Sequence, residues 1–147
     1  MLYVLARTSC PRGFERLGNS SIGFGCYSFS RERVGWIEAK KICELNGANL
    51  ITLESIEESE AVLENLLSST RRRSRFEYWT AGNDIDRENR WEWAGTKEIV
   101  PDFGWLDQPL PSAEENCLTW SITIESRYVG MWRLHLPVIY VSALLFS

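Results

Sequence analysis

The sequence predicts an α+β domain. Three observations carry that prediction: a cysteine-bearing hairpin pattern over residues 9–30, two amphipathic helical stripes between Val34 and Leu67, and a change to period-two patterning from Phe76 onward. With 147 residues, 44% of them apolar and 24% charged, the chain can build one hydrophobic core, and it is too short for two comfortable ones.

Residues 9–30 (SCPRGFERLGNSSIGFGCYSFS) alternate aromatic and polar positions around a Gly/Asn/Ser turn, which reads as a hairpin with Cys10 and Cys26 on its two arms. Closing that loop with a disulfide contributes about 3 kcal/mol by restricting the unfolded chain. Trp36, Ala39, Cys43 and Gly47 then follow helical spacing, and Asn46-Gly47 supplies a helix stop. A second helix opens at a Ser55-x2-Glu58 capping box, with Val62, Leu63, Leu66 and Leu67 as its apolar face. The run Arg71-Arg72-Arg73-Ser74-Arg75 reads as a solvated loop, with binding to a sulfated glycan as the sharper alternative. Tyr78–Ala81 and Arg90–Trp93 read as strands with a turn at Gly82-Asn83-Asp84 between them, and Trp91 and Trp93 fall on one face. Residues 95–116 are rich in loop formers, and Cys117–Trp120 ends them as a strand.

Composition excludes several functions. A net charge of −4 argues against a generic nucleic-acid surface. The single histidine, His135, rules out histidine-rich metal sites and multi-histidine catalysis. Cys10, Cys26, Cys43 and Cys117 lack the close pairing of a zinc ribbon or a redox Cys-x-x-C, so disulfides and an oxidising compartment are the natural reading. The sequon Asn19-Ser20-Ser21 lies in the hairpin turn and marks Asn19 as a glycan acceptor. Met1–Ala6 is shorter than the apolar core of a secretory signal, and residues 1–8 read as an N-terminal remnant or incomplete signal of a secreted chain. Leu134–Phe146 is nearly uncharged but is interrupted by Pro137 and too short for a transmembrane span.

The long loop is where function is expected. Asp102, Asp107, Gln108, Glu114, Glu115 and Asn116 offer the carboxylate and amide oxygens that calcium requires, and a calcium ion so held accepts sugar hydroxyls as further ligands. The bland alternative is an acidic solvated loop. A glycosidase needs its carboxylates opposed across a cleft, whereas these crowd one short stretch. A Cys/His nucleophile pairing would draw on His135, in the apolar end segment, with no orienting partner. An enzyme is not expected.

The order of motifs resembles the C-type lectin-like domain family in its longer, arthropod-like form. The residues are Cys10-Pro11-x-Gly13-Phe14, Cys26-Tyr27-x-Phe29, Trp36-x-Glu38-Ala39-x3-Cys43-x3-Gly47-Ala48-x-Leu50 and Ser55-x2-Glu58. They continue with Tyr78-Trp79-Thr80-Ala81-Gly82-Asn83-Asp84, Trp91-x-Trp93, Trp105-x2-Gln108-Pro109 and Glu115-Asn116-Cys117-Leu118. The likeness spans residues 9–132, with 133–147 as an apolar tail outside the pattern. It implies two helices packed on antiparallel sheets, a long calcium-binding loop at one end, and glycan recognition of the kind used in innate immunity. It also implies a Cys10–Cys26 disulfide, a cis Pro109, and absent partners for Cys43 and Cys117, which are left unpaired.

The resemblance further implies that Gln108 and Glu115 fall on calcium- and sugar-ligating positions. Leu110, Arg133 and Leu134 stand where the family has oxygen donors, so two of five side-chain ligands remain, with Asp107 and Glu114 as substitutes. Gln108-Pro109 matches the start of the family's galactose-type triplet. The expected function is therefore a secreted recognition module, carbohydrate-binding by ancestry, with a degenerate calcium site. One alternative is a calcium-independent protein-binding domain using Phe103 and Trp105. The other is a truncated or mis-spliced lectin product, in which Val138–Val141 serve as a substitute strand or stand exposed as an aggregation segment.

Overall fold

The computed structural model describes residues 9–19, 23–69, 75–101, 116–123, 128–134 and 140–146. In chain order these form β1 (Glu15–Asn19), β2 (Gly23–Val34), α1 (Trp36–Leu45), β3 (Asn49–Leu50), α2 (Ile56–Ser69), β4 (Arg75–Asn83), β5 (Glu92–Trp93), β6 (Cys117–Thr123), β7 (Tyr128–Leu134) and β8 (Tyr140–Phe146). Two helices and largely antiparallel strands make this an α+β fold.

The β1–β2 hairpin forms as the alternation predicts, in register from Glu15↔Tyr27 to Asn19↔Gly23. Gly18 is required at its turn end: its φ is +120°, and a Cβ there would lie 2.1 Å from the Gly23 carbonyl oxygen. Cys10 is not on the strand itself. It precedes β1 by a turn in which the Phe14 N–H donates to the Pro11 carbonyl (3.0 Å), and its disulfide to Cys26 pins that turn onto β2.

Helix α1 buries Trp36, Ala39 and Cys43, the stripe its periodicity marked. It stops at Gly47 (φ +70°), where the Gly47 and Ala48 N–H groups close onto the Glu44 and Cys43 carbonyls. At the start of α2, the Ser55 hydroxyl accepts the Glu58 N–H at 3.1 Å, as a capping box requires. The return bond differs from the box: Glu58 Oε2 accepts from Glu54 N–H, and Oε1 accepts from the Tyr27 hydroxyl. Glu58 thus ties the cap of α2 to strand β2. Burial, followed by the Glu58 charge, pushes the Tyr27 hydroxyl pKa well above its ordinary value.

Among the described residues the sheet runs β1-β2-β8-β4-β6-β7, with β3 on β8 and β5 on β4. Every strand pairing is antiparallel except β4–β8, which is parallel at Tyr78↔Val141 and Trp79↔Ser142. Residues 133–147, read from sequence as a tail, contain the end of β7 and all of β8, and β8 occupies the middle of the sheet. Strand β4 extends through Gly82 and Asn83, which the sequence assigned to a turn; the chain leaves the strand only at Asp84.

The core sits where α1, β3, β4, β5 and β6 meet. Trp36, Trp79, Trp91, Trp93 and Trp120 are all buried, five of the chain's seven tryptophans. A buried indole needs its N–H satisfied: Trp36 Nε1 donates to the Thr80 carbonyl (2.8 Å) and Trp79 Nε1 to the Val34 carbonyl (2.9 Å). These bonds run from α1 to β4 and from β4 to the end of β2, so two of the indoles also lock the layers in register.

Candidate functional site: the stem of the long loop

The candidate site is built on two stems that meet at the end of β4. The first is a small hairpin, in which β5 pairs Gly82↔Trp93 and Asn83↔Glu92. Its return arm is fixed by Trp93 N–H to the Glu98 carbonyl and by Val100 N–H to the Trp91 carbonyl, both at 2.9 Å. Residues 95–101, which composition alone assigns to the long loop, are therefore structured, and Val100 is buried in the core cluster.

The second stem is Asn116–Cys117. The Asp84 N–H donates to the Asn116 carbonyl at 3.1 Å, joining the exit of β4 to the entry of β6. Asp84 is 3% exposed, and its Oδ2 accepts the Asn89 N–H at 2.9 Å. Asn83 adds a second clamp, since its amide nitrogen donates to the Ala81 carbonyl and its Oδ1 accepts the Ile85 N–H. Beneath them the Thr80 hydroxyl donates to the Leu118 carbonyl and accepts the Gly82 N–H. The sequence marks Gly82-Asn83-Asp84 only as a turn. The signal for more was there, because Asn and Asp at a strand exit bond their own backbone two residues on, but their tie to Asn116 is visible only once the chain folds.

The loop residues singled out from sequence, namely Phe103, Trp105, Asp107, Gln108, Pro109, Glu114 and Glu115, lie outside the described residues, as does the side chain of Asn19. The two ends of residues 102–115 are nevertheless placed: Pro101 follows the buried Val100, and Asn116 is held by Asp84. The residues that flank the loop thus stand on the two stems.

Cys43 and Cys117 are free thiols, fully buried in the core cluster. Burial pushes the Cys43 thiol pKa up to about 12; burial and then the negative charge of Asp84 push that of Cys117 up to about 12. Neither is a nucleophile at neutral pH, because the thiolate is the reactive form.

Calcium is the cofactor the sequence points to, and its fit rests on the donor set. Among the described residues no three His, Cys, Asp or Glu side chains are grouped to hold a metal. The β7 register sets Leu134 opposite Cys117 and Arg133 opposite Leu118, beside the second stem.

Exposed around the first stem are Ile85 (48%) and Ile99 (55%), on segments linked by the Lys97–Asp86 ion pair. Among the described residues no helix is long and apolar enough to cross a membrane.

The lectin C-type domain profile matches residues 32–133. A perlucin-like protein of Mytilus galloprovincialis is 26% identical over 113 residues, covering 76% of this chain and 68% of that protein. Receptors among the curated relatives are matched over about a quarter of their length or less. In structure, the chain superposes on a calcium-free form of a Ca2+-dependent type II antifreeze protein with a TM-score of 0.74 and 20% identity, covering 94% of this chain and all of that one. It superposes on SPL-1, solved as a GlcNAc complex, with a TM-score of 0.70 and 22% identity, covering 95% and 96% of the two chains. With its profile match spanning α1 to β7 and both stems of the long loop, this chain belongs to the C-type lectin domain family.

Proposed function

We propose that the chain is a secreted, non-enzymatic recognition module that binds carbohydrate or a glycoprotein through residues 102–115, with a calcium site reduced from that of its relatives. The observation that carries this reading is the profile match across the loop, which includes Gln108-Pro109 and Glu114-Glu115-Asn116. SPL-1, of the same fold, was solved with GlcNAc. In the proposed mode the Gln108 amide and the Glu115 carboxylate bond sugar hydroxyls, with Asp107 and Glu114 supplying further acceptors. Trp105 and Phe103 stack on the apolar face of the sugar ring. The Gln108-Pro109 pair favours a galactose-type ligand. Calcium, where bound, would draw on Gln108 and Glu115 and add ligand positions for sugar hydroxyls. Asn19 is proposed as the chain's own glycan acceptor.

The test is retention of the purified chain on immobilised galactose, GlcNAc and mannose, each with calcium and with chelator. Retention on galactose that resists chelator is the expected outcome, and Gln108→Ala should abolish it. Failure to bind all three sugars would overturn the carbohydrate reading.

A second reading is favoured by the exposed Ile85 and Ile99 beside the loop. Branched aliphatic side chains suit a protein surface better than a sugar ring, and a calcium-independent protein ligand would contact them together with Phe103 and Trp105. Binding of a protein partner that is lost in Ile85→Ser and unaffected by chelator or free sugar would select it.

A further inference from the structure

We infer that Ile99 is the docking point for an extended segment of a partner protein, which adds to the free edge of the β5 hairpin as one more antiparallel strand. The inference rests on the protein-ligand reading given above and names its binding mode and partner class. Trp93 N–H donates to the Glu98 carbonyl and Val100 N–H to the Trp91 carbonyl, both at 2.9 Å, and between these two bonds Ile99 stands opposite Glu92. Bonds that flank a pair in this way make it the non-hydrogen-bonded kind, in which the N–H and C=O of the two residues point away from each other. Glu92 turns its pair towards Asn83, its register partner on β4; Ile99 turns its pair outwards. Among the described residues neither main-chain group of Ile99 has a hydrogen-bond partner.

The edge is preformed. Trp91, Trp93 and Val100 fill its inner face and are buried, while Ile99, one residue out of phase with them, stays exposed. The Lys97–Asp86 ion pair ties this arm to the turn that carries the exposed Ile85. Asn89 and Lys97 both hold φ at +63°, fixed by the bonds from Asn89 N–H to Asp84 Oδ2 and from Lys97 N–H to the Trp93 carbonyl. Left-handed backbone at non-glycine residues persists only where the surroundings fix it. An edge already fixed costs little ordering when a partner binds.

The occupant follows from what the edge offers. A donor and an acceptor on one extended residue match the N–H and C=O of one residue in a facing strand, the pattern by which peptides add to sheet edges. Pro101 has no N–H, so the complete pair is the one on Ile99 and the contact is short. Ile99 itself suits a β-branched or aromatic residue directly opposite it. The charges select as well: Arg90 and Lys97 are already paired with Glu92 and Asp86, whereas the exposed Glu98 has no ion pair among the described residues. The partner is therefore an extended peptide with an apolar residue at the pairing position and a lysine or arginine beside it.

The probe is a phage-displayed library of random linear peptides, panned on the full 147-residue chain, and the peptide it selects is synthesised for titration. The Ile99 amide should exchange its hydrogen freely in the chain alone and be protected about tenfold or more in the complex. N-methylation of the peptide residue facing Ile99 should weaken binding about tenfold, and Ile99→Pro, which removes the donor on the other side, by a similar factor. Ile99→Val keeps the main-chain pair and should bind as the unaltered chain does, while Glu98→Gln should bind about threefold more weakly. Should Ile99→Pro fail to fold, the N-methylated peptides decide alone, since they leave the chain unchanged. A peptide that tolerates N-methylation at every position, or leaves the Ile99 amide unprotected, overturns strand addition. Selection of no peptide overturns it too. The broader protein-ligand reading is tested by Ile85→Ser against a folded partner, so the two fail separately.

Discussion

The β1–β2 hairpin and the tryptophan hub around β4 are stabilised by different means. The hairpin buries Leu17 and Tyr27 on one side and leaves the other open: Phe24 is 53% exposed, with the Arg16 guanidinium 4.0 Å above its ring. Its N-terminal approach is secured by the Cys10–Cys26 disulfide. The hub contains two cysteines in the same core cluster, and neither is cross-linked. It is held instead by five buried indoles and by hydrogen bonds that close on Thr80, Asn83 and Asp84. The hairpin thus adds a covalent restraint to its buried Leu17 and Tyr27, whereas the hub relies on packing and hydrogen bonds alone.

Breaking the hub should produce the largest effect. Trp79 is fully buried, and its Nε1 satisfies the Val34 carbonyl. Trp79→Ala should cost about 3–5 kcal/mol, a large share of the roughly 5–15 kcal/mol that holds a domain together. Urea denaturation should show the midpoint collapse or the fold lost.

Reduction of Cys10–Cys26, or Cys10→Ser with Cys26→Ser, should cost about 3 kcal/mol by releasing the hairpin loop in the unfolded chain. The near-ultraviolet circular dichroism of the indoles should nevertheless keep its native form. Loss of that signal on reduction would show that hub and hairpin are not separable in this way.

The third effect is alkaline. The Cys43 and Cys117 thiols are pushed from 9.0 to about 12 in the folded state, so above pH 9 the unfolded chain releases protons that the folded chain keeps. Folded pKa values above the unfolded ones mean that this stability is fully present below pH 9 and is lost as pH rises towards 12. Between pH 8 and 10 the two thiols together should remove about 2–3 kcal/mol. Urea midpoints at the two pH values measure it, and the drop should shrink in Cys43→Ala and Cys117→Ala.

The smallest effect is at a helix cap outside both regions. Ser55→Ala removes the acceptor for the Glu58 N–H and should cost about 1 kcal/mol. Glu58 keeps its bonds to Glu54 and Tyr27, so the Tyr27 contact with α2 should survive, as seen in unchanged tyrosine fluorescence.

Much of this molecule was legible in one dimension. Trp36, Ala39 and Cys43 declare a buried helical stripe at the spacing of a helix turn, Gly47 stops that helix because it tolerates a positive φ, and Ser55 caps the next. Local backbone preferences and periodic burial decide such features, so neighbouring residues suffice to read them. The motif order carried the family for the same reason, each motif being a local packing unit. What only the tertiary structure decided is non-local. The middle of the sheet goes to Tyr140–Phe146, and the apolar run of that segment does not tell between which strands it pairs. Asp84 and Asn116 become one stem although 32 positions separate them. Pairings of that kind follow from which edges remain open once the rest of the chain has folded, and no short stretch of sequence contains that information.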